Sequence, residues 1–475
     1  MVFSSVIFLF YFLPLFLILY YLSPEKIKNV IVLIFSVLFY AWGAPKFIFL
    51  VLASMTANYY LVDAMHRTNQ RKSKKILLIF SLFVNVGILA YFKYFNFFID
   101  NLNSILEISG ANKIHWTNVA LPVGISFFTF QSITYSVDVY RNIHKPLHKL
   151  SDYLVYILMF PQLIAGPIIR FNSIADQIIN RKNNETLLNR ILGFQRFCIG
   201  LAKKALIANS VGEGVDALYS IPPDEISTLA AWMASLGYAM QIYFDFSGYS
   251  DMAIGIGRMI GFTFPENFNN PYRSRSITEF WRRWHITLGR WMKDYLYIPL
   301  GGNRVTPAKL YLNLWIVFLI SGLWHGASWN FIIWGAFHGL FLILDRLFLL
   351  KILDKSGKSI SIAFTFFVTL VGWVFFRVEE LRSAVTYIKQ MFSFSGNSFN
   401  LTNKNEFLFS LGIAVIFSFI TLFKLGEKAE HYFYYKSDYK SGQLLSNILM
   451  SVILLTLSAS YIVSSGFNPF IYFRF

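Results

Sequence analysis

Residues 309–350 read KLYLNLWIVFLISGLWHGASWNFIIWGAFHGLFLILDRLFLL, two apolar runs joined by a short segment rich in glycine and polar side chains. Each run approaches the roughly 20 apolar residues that a helix needs to cross a bilayer. Similar runs recur from 3–22 to 443–465. We therefore predict an all-α, polytopic integral membrane protein with roughly eleven transmembrane helices, together with re-entrant and interfacial helices.

The composition excludes the other broad classes of protein. Of the 475 residues, 56% are hydrophobic and only 14% are charged, whereas soluble domains run near half apolar and a quarter charged. A soluble globule of this length needs a larger polar shell than these residues provide. Soluble, fibrous and disordered proteins are therefore excluded.

The chain is basic, with 42 Lys and Arg against 25 Asp and Glu, a net charge of +17. We expect no nucleic-acid partner, because the sequence contains no solvated basic domain. Polybasic loops beside membrane spans fix topology and favour anionic membrane lipid. The densest cluster, HRTNQRKSKK at 66–75, follows the third apolar run. Placing it in the cytoplasm makes the N-terminus extracytoplasmic.

The segment 265–305 interrupts the apolar pattern. A polar loop at 265–272 precedes Ser276, a helix N-cap candidate with Glu279 at capping-box spacing. We predict one helix over 276–296, which carries Arg282, Arg283, His285, Arg290, Lys293 and Asp294. A central Arg or Lys costs about 2.5–3.5 kcal/mol on insertion scales, so this helix lies in the interface or lines a watery cavity. An amphipathic surface helix is the alternative for every residue except His285.

His325 is an ionisable residue between two strongly apolar runs, which makes it a candidate functional group. It follows Trp324, lies between two glycines and is close to Ser328 and Asn330. An imidazole there can take a proton from a hydroxyl group. The residues alone support equally a core histidine that is hydrogen-bonded to a neighbour.

Two further groups of polar residues complete the candidates. His285 is the second histidine, whereas His338, thirteen residues after His325, falls on a different face of a continuous helix. Asp245, Tyr249 and Asp251 lie in an apolar helix, where they line a cavity or pair with arginines. The chain has one cysteine and no HExxH, GxSxG or Walker A sequence, so we predict no metal site, serine hydrolase or P-loop nucleotidase.

Several segments in this order resemble the membrane-bound O-acyltransferase family, in particular its bacterial subgroup that acetylates exopolysaccharides such as alginate. The segments are FPQLIAGPIIR at 160–170, YFDFSGYSD at 243–251, FWRRWH at 280–285, WMKDYLYIPLGGNR at 291–304, LWHG at 323–326 and the ending NPFIYF at 468–473. The resemblance implies one membrane-embedded acyltransferase domain over 1–475 around a central tunnel. Its core motifs lie at about 120–340, and 1–110 and 356–475 form peripheral helices.

The resemblance also implies the chemistry and its residues. His325 is the essential histidine, acting as general base toward an acceptor hydroxyl, and His285 orients the thioester or stabilises oxyanion charge; an acyl-histidine intermediate is the other route. No cofactor is permanently bound, and acetyl-CoA is the acyl-donor substrate. The residues expected to line the tunnel or contact substrate are Asp245, Tyr249, Asp251, Arg283, Trp284, Arg290, Lys293, Trp324 and Asn330.

The implied location is the bacterial cytoplasmic (inner) membrane, with an extracytoplasmic partner of the SGNH-hydrolase type and a polysaccharide acceptor. Alginate or a similar exopolysaccharide is the expected acceptor, and peptidoglycan O-acetylation or D-alanyl transfer to teichoic acid are alternatives. A flippase or transporter for polysaccharide precursors is the alternative from a different class. A transporter tolerates loss of imidazole basicity, whereas an acyltransferase does not.

The predicted orientation can be tested at the basic cluster. In a variant that lacks Cys198, a cysteine at Thr68 should resist a membrane-impermeant thiol reagent applied to whole cells and react once the cells are opened. Efficient labelling from outside the cell would reverse the orientation.

Overall fold

In this computed structural model, residues 2–396, 401–469 and 471 are described. All regular secondary structure in these ranges is helical, and they contain no strand. The prediction of an all-α, polytopic membrane protein is confirmed.

The N-terminal third consists of five helices, of which α4 and α5 are joined by a π-helical turn. The helices are α1 (Leu13–Leu22), α2 (Glu25–Gly43), α3 (Ile48–Arg67), α4 (Arg71–Leu89) and α5 (Phe95–Ile108). They pack beside α6 and α7, which begin the central part of the chain.

The central part contains the long helix α12 and several short helices before and after it. The helices are α6 (Ile125–Tyr140), α7 (Leu150–Leu158), α8 (Phe160–Leu163), α9 (Phe171–Ile179), α10 (Leu187–Ala202), α11 (Ser210–Tyr219), α12 (Thr228–Met259), α13 (Ile277–Arg283) and α14 (Ile286–Met292).

The C-terminal part begins with the two helices on either side of the histidine segment at 323–330. The helices are α15 (Pro307–His325), α16 (Trp329–Leu344), α17 (Leu350–Ser356), α18 (Lys358–Arg377), α19 (Leu381–Met391), α20 (Lys404–Phe419), α21 (Lys424–Glu430) and α22 (Ser441–Ser464).

Short helical turns of other types link or extend these elements. The π-helical turns are Phe8–Phe12, Ala90–Tyr94, Lys203–Asn209, Lys293–Tyr297, Asp345–Leu349 and His431–Tyr435, and the 3-10 turns are Lys182–Asn184, Pro271–Arg273 and Ile420–Leu422.

Seven helical segments among the described residues are long and apolar enough to cross a membrane. They are Glu25–Gly43, Ile48–Arg67, Arg71–Ile108, Pro307–His325, Lys358–Arg377, Lys404–Leu422 and Ser441–Ser464, and Phe8–Leu22 is a shorter apolar segment. The count of roughly eleven crossings stays a prediction, as does the division into core and peripheral regions.

The helix at the centre of the protein is α12, whose 32 residues extend about 48 Å. Nearly every side chain from Ala234 to Gly257 is buried. Helices α10, α11, α18 and α20 pack around it. Because protein covers α12 on all sides, this helix can hold the polar and charged residues that lipid would exclude.

Glycines set the distance between α10 and α12. A Cβ at Gly200 would lie 2.5 Å from the carbonyl oxygen of Gly248, and one at Gly193 would lie 2.7 Å from that of Gly255. Small residues at helix contacts allow backbones to approach closely, which is how helices associate without a hydrophobic driving force in lipid.

The predicted single helix over 276–296 is wrong. The helix begins at the predicted N-cap, where the Ser276 hydroxyl accepts from the backbone N–H of Glu279 at 3.1 Å. It breaks at His285, which has a left-handed backbone (φ 45°, ψ 52°) between α13 and α14. The freed backbone groups pair with the preceding polar loop: Ile286 N–H donates to the Asn267 carbonyl, and Asn269 N–H donates to the Arg283 carbonyl, both at 2.9 Å.

The α10–α12 contact gives a stability prediction. Gly200→Ala should lower the free energy of unfolding by about 1–3 kcal/mol, the usual cost of overpacking, because the nearest obstacle is rigid backbone. Thermal unfolding in detergent micelles measures the change. Gly87→Ala in α4 is the matched control: no atom lies within 4 Å of the added methyl group, so its melting temperature should stay equal or rise slightly. Equal melting temperatures in both variants would contradict close packing.

Candidate active site

Two histidines lie close to one indole ring. The ring centroid of Trp324 is 4.9 Å from that of His325 and 6.0 Å from that of His285. Both imidazoles are buried, with 7% of His325 and 1% of His285 exposed. The structure therefore brings together three residues that the sequence analysis selected.

His325 is the last residue of α15, where the chain turns toward α16. The sequence analysis identified glycines on both sides of it, and the structure gives them a packing role. A Cβ at Gly326 would lie 2.1 Å from the ring of Phe331, and one at Gly322 would lie 2.2 Å from the Phe331 carbonyl oxygen. The glycines admit Phe331 and let the start of α16 fold back against α15.

His325 lines two cavities. The first, which we call the histidine cavity, is lined by Ile242, Asp245, Phe246, Trp284, His325, Trp334, Trp373, Phe376 and Ile471. The second, the lysine cavity, has a volume of about 170 Å³ and includes Lys93, Trp324 and His325 in its walls. His325 therefore lies between two cavities of the protein interior and lines both of them.

A third cavity adjoins the histidine cavity. This arginine cavity, of about 270 Å³, is lined by residues 326–328, by Gln241, Arg377 and Glu379, and by Phe376 and Ile471, which it shares with the histidine cavity. Ile471 belongs to the ending motif found in the sequence, of which Phe470, Tyr472 and Phe473 lie outside the described residues.

Asn267 holds the chain break at His285. Its side-chain oxygen is 3.0 Å from His285 Nδ1 and accepts from the Thr287 hydroxyl at 2.8 Å and the Thr287 backbone N–H at 3.3 Å. Its amide nitrogen donates to the Ser250 hydroxyl at 3.1 Å and to the Gly166 carbonyl at 3.4 Å. One side chain thus joins the break to α12 and to the corner after α8.

These contacts fix the tautomer of His285. The Gly166 carbonyl can only accept and the Thr287 N–H can only donate, so the Asn267 amide has one orientation. Its oxygen therefore faces His285 Nδ1, which must carry the proton. The Nε2 atom then keeps its lone pair, and in the described part of the chain it is buried without a hydrogen-bond partner. His285 can accept a proton or a hydrogen bond at Nε2.

The two carboxylates of α12 are both ion-paired. Asp245 lies 2.5 Å from Lys204 Nζ, and its other oxygen accepts from the Ile471 backbone N–H at 3.0 Å. Asp251 accepts from Arg196 and Lys203, each at 2.7 Å. Both acids are therefore paired with cations of α10 and the turn after it, but only Asp251 has an arginine partner, and the partner of Asp245 is a lysine. Asp245 nonetheless lines the histidine cavity.

Asp251 lines a fourth and larger cavity. This ionic cavity has a volume of about 560 Å³, mostly apolar walls, and charges contributed by Arg196, Lys203, Asp251 and Glu430. The Tyr434 ring covers the guanidinium of Arg196 at 4.1 Å, and its hydroxyl donates to Asp251 at 3.3 Å. Burial raises the pKa of Tyr434, so the hydroxyl stays a neutral donor.

The remaining predicted residues occupy different surroundings. Trp284 lines the histidine cavity. Asn330 is buried in the first turn of α16 and donates to the Val378 carbonyl. The Tyr249 ring stacks on the ring of Phe3, with the two centroids 4.4 Å apart.

The three predicted cations lie on the polar segment around the His285 break. Arg283 pairs with Glu279 at 2.9 Å and donates to the Asn269 carbonyl at 3.1 Å. Arg290 and Lys293 are exposed at the end of α14 and at the start of the following turn.

Sequence reasoning missed two residues that hold the histidines. Asn267 was one of three asparagines in a polar loop, and nothing in its spacing singled it out. Lys93 lines the lysine cavity and donates to the Trp324 carbonyl. The signal for Lys93 was present, because it is the one charged residue in the apolar run 76–98, and ionisable residues inside spans are functional candidates.

Comparisons with known proteins agree with the resemblance. The sequence profile of the membrane-bound O-acyltransferase family matches residues 8–378. A probable alginate O-acetylase AlgI of Azotobacter vinelandii is 45% identical over 417 residues, covering 88% of this chain and 83% of that protein. A probable alginate O-acetylase AlgI of Pseudomonas putida is 40% identical over 493 aligned positions, covering 100% of both proteins.

A peptidoglycan O-acetyltransferase of Helicobacter pylori is also similar, with 39% identity over 444 residues, covering 86% of this chain and 83% of that protein. The family match extends over both histidines and over the segments that surround them. The chain therefore belongs to the membrane-bound O-acyltransferase family and is an O-acyltransferase.

Proposed function

We propose that this O-acyltransferase moves an acetyl group from acetyl-CoA on the cytoplasmic side across the membrane for O-acetylation of an extracytoplasmic polysaccharide, alginate or a similar exopolysaccharide. The observation that carries the proposal is the position of His325, buried between two cavities with His285 close by. Such a site can hold a thioester and a hydroxyl together while excluding water.

The course of α15 supports transfer across the membrane. Tyr59 lies in the part of α3 that leads into the basic cluster, and its hydroxyl donates to the Leu147 carbonyl at 3.2 Å. The loop between α6 and α7 therefore lies on the same side of the protein as the basic cluster. On the same side, Arg141 donates to the Asp294 carbonyl at 3.2 Å, shortly before α15 begins. The helix leads away from that side, because His325, about 27 Å along it, lies against Lys93, which follows α4 at the end remote from Arg71 of the basic cluster. With the basic cluster in the cytoplasm, an acceptor reaches His325 from the opposite side.

The ionic cavity is our candidate route for the donor. Its apolar walls suit an acetylated pantetheine arm, and its charged residues suit polar atoms of that arm. Asn270 lies at its wall, and the neighbouring Asn269 accepts from Arg283. We assign Arg283, with the exposed Arg290 and Lys293, to the phosphates of CoA, for which cations are the usual partners.

The proposed reaction transfers the acetyl group directly from the thioester to the acceptor hydroxyl. His325 takes the proton of the acceptor hydroxyl as its oxygen attacks the thioester carbonyl carbon. The carbon–sulfur bond breaks, the ester forms, and the imidazolium returns the proton to the leaving thiolate. The tautomer of His285 favours an orienting role through Nε2 over donation to an oxyanion. An acyl-histidine intermediate is the alternative route, in which His325 itself is the nucleophile.

The proposed location is the bacterial cytoplasmic membrane, with an extracytoplasmic SGNH-type protein as the partner that completes acetylation. Peptidoglycan is the second candidate acceptor, favoured by the similarity to the Helicobacter pylori enzyme. A role as a transporter is set aside, since the chain belongs to an acyltransferase family.

The proposed general-base role of His325 can be tested by substitution. His325→Ala and His325→Asn should each reduce acetyl ester by about 10²–10⁴-fold, because both remove the base and Asn keeps a polar group of similar size. The measurement is acetyl released by mild base from purified polysaccharide, in strains with matched protein levels.

His66→Asn is the control, since His66 is exposed at the end of α3, and it should keep normal ester content. His338→Ala is a less suitable control than the sequence suggested: His338 is fully buried, and its ring is 5.2 Å from Trp334, which also contacts His325. Normal ester content in His325→Asn would refute the assignment.

The tautomer of His285 can be tested through Asn267. Asn267→Leu should lower acetyl transfer by at least about 10-fold, because nothing then holds the proton of His285 on Nδ1 and the chain break loses its hydrogen bonds. Asn112→Leu, at an exposed loop position between α5 and α6, is the matched control. Equal transfer in both variants would show that Asn267 does not support catalysis.

A further inference from the structure

The last turn of α15 ends inside the protein, and its carbonyl groups need partners from elsewhere. A helix leaves its final four carbonyls without intrahelical donors, here those of residues 322–325. The Gly326 N–H donates to the Gly322 carbonyl at 3.3 Å. The other three carbonyls are those of Leu323, Trp324 and the proposed base, His325.

Two consecutive residues of a neighbouring span satisfy all three. The Tyr94 hydroxyl donates to the Leu323 carbonyl at 2.8 Å. The Lys93 ammonium donates to the Trp324 carbonyl and lies 3.4 Å from the His325 carbonyl. Lys93 also donates to the Ser126 hydroxyl at 3.4 Å. Each of its three N–H groups therefore has an acceptor.

The location of Lys93 argues for a specific role. It lies within the apolar span Arg71–Ile108, where a cation is expensive. The chain forms a π-helical turn at Ala90–Tyr94, a feature found frequently at functional sites. A cation at a helix C-terminus also interacts favourably with the negative end of the helix dipole.

We infer that Lys93, together with Tyr94, is a positioning residue that fixes the end of α15 and thereby holds the His325 imidazole in place for acetyl transfer. This inference rests on the proposed function of His325. Without the ammonium, the Trp324 and His325 carbonyls lose this donor in a low-dielectric interior, and the turn loosens. A displacement of about 1 Å at a reacting group can cost about 10²-fold in rate.

Acetyl ester content at matched protein levels provides the activity measurement. Lys93→Met keeps a long apolar stem and removes every donor, so it should lose about 10²-fold. Lys93→Arg keeps charge and donors and should recover most of that loss, while Tyr94→Phe, which unpairs one carbonyl, should lose less than Lys93→Met. Lys113→Met is the matched control, because Lys113 is exposed and pairs with Glu107; it should equal wild type.

The rate of thiol modification measures the position of the turn without depending on activity. In a chain lacking Cys198, Ala327→Cys places a thiol at the wall of the arginine cavity, two residues after His325. We expect a soluble maleimide to modify it several-fold faster in Lys93→Met than with Lys93 present. The rate in Lys93→Arg should stay close to that of the parent.

The outcomes separate this inference from the proposed function. Unchanged labelling in Lys93→Met, with or without loss of activity, overturns the positioning role. Faster labelling in Lys93→Met, combined with full activity in His325→Asn, supports the contact between Lys93 and the end of α15 but refutes the catalytic role of His325. If Lys93→Met does not accumulate, Tyr94→Phe and Lys93→Arg decide. Normal activity and an unchanged labelling rate in Tyr94→Phe, together with loss of activity and a changed labelling rate in Lys93→Arg, overturn the inference.

Discussion

Backbone groups that leave regular helix inside a membrane must find partners within the protein, because the hydrocarbon core offers none. Both histidines stand where a helix stops. At His285 the freed groups pair with the loop around Asn267. At His325 they pair with Lys93, Tyr94 and Gly326. The hydrogen bonds that satisfy the backbone at the two breaks are therefore also contacts that surround the two histidines.

The buried ionisable residues of the interior are of two kinds, ion-paired carboxylates and histidines. Asp245 and Asp251 are neutralised by lysine and arginine partners from α10 and the turn after it. These pairs allow α12 to carry carboxylates through a buried region, since breaking a buried pair leaves an uncompensated charge. The histidines need no such neutralisation, because a free imidazole, with a reference pKa of about 6.5, is mostly neutral at pH 7, whereas a free carboxylic acid is ionised. That difference suits them to proton transfer in a dry site.

Much of the fold and part of the site followed from the sequence. Long apolar runs predicted an all-helical membrane protein, and the Ser276 cap fixed where α13 begins. The helix over 276–296 was predicted unbroken, because the break at His285 is stabilised by a loop about 18 residues earlier, which periodicity cannot detect. The contacts of Gly322 and Gly326 with Phe331 could not be predicted, because they depend on how α16 folds back against α15. Lys93 gave a readable signal as an isolated charge, whereas Asn267 gave none.

The arrangement also explains why two chain breaks serve this chemistry better than two intact helices. A side chain in the middle of a helix points into the groove of its neighbour, where close packing leaves little room. At a break the backbone turns aside: His325 at the end of α15 lines the histidine cavity and the lysine cavity, and the three residues after it line the arginine cavity. In the proposed transfer, donor and acceptor meet at this imidazole from opposite sides, and the proposed role of the paired backbone groups is to keep the imidazole in place.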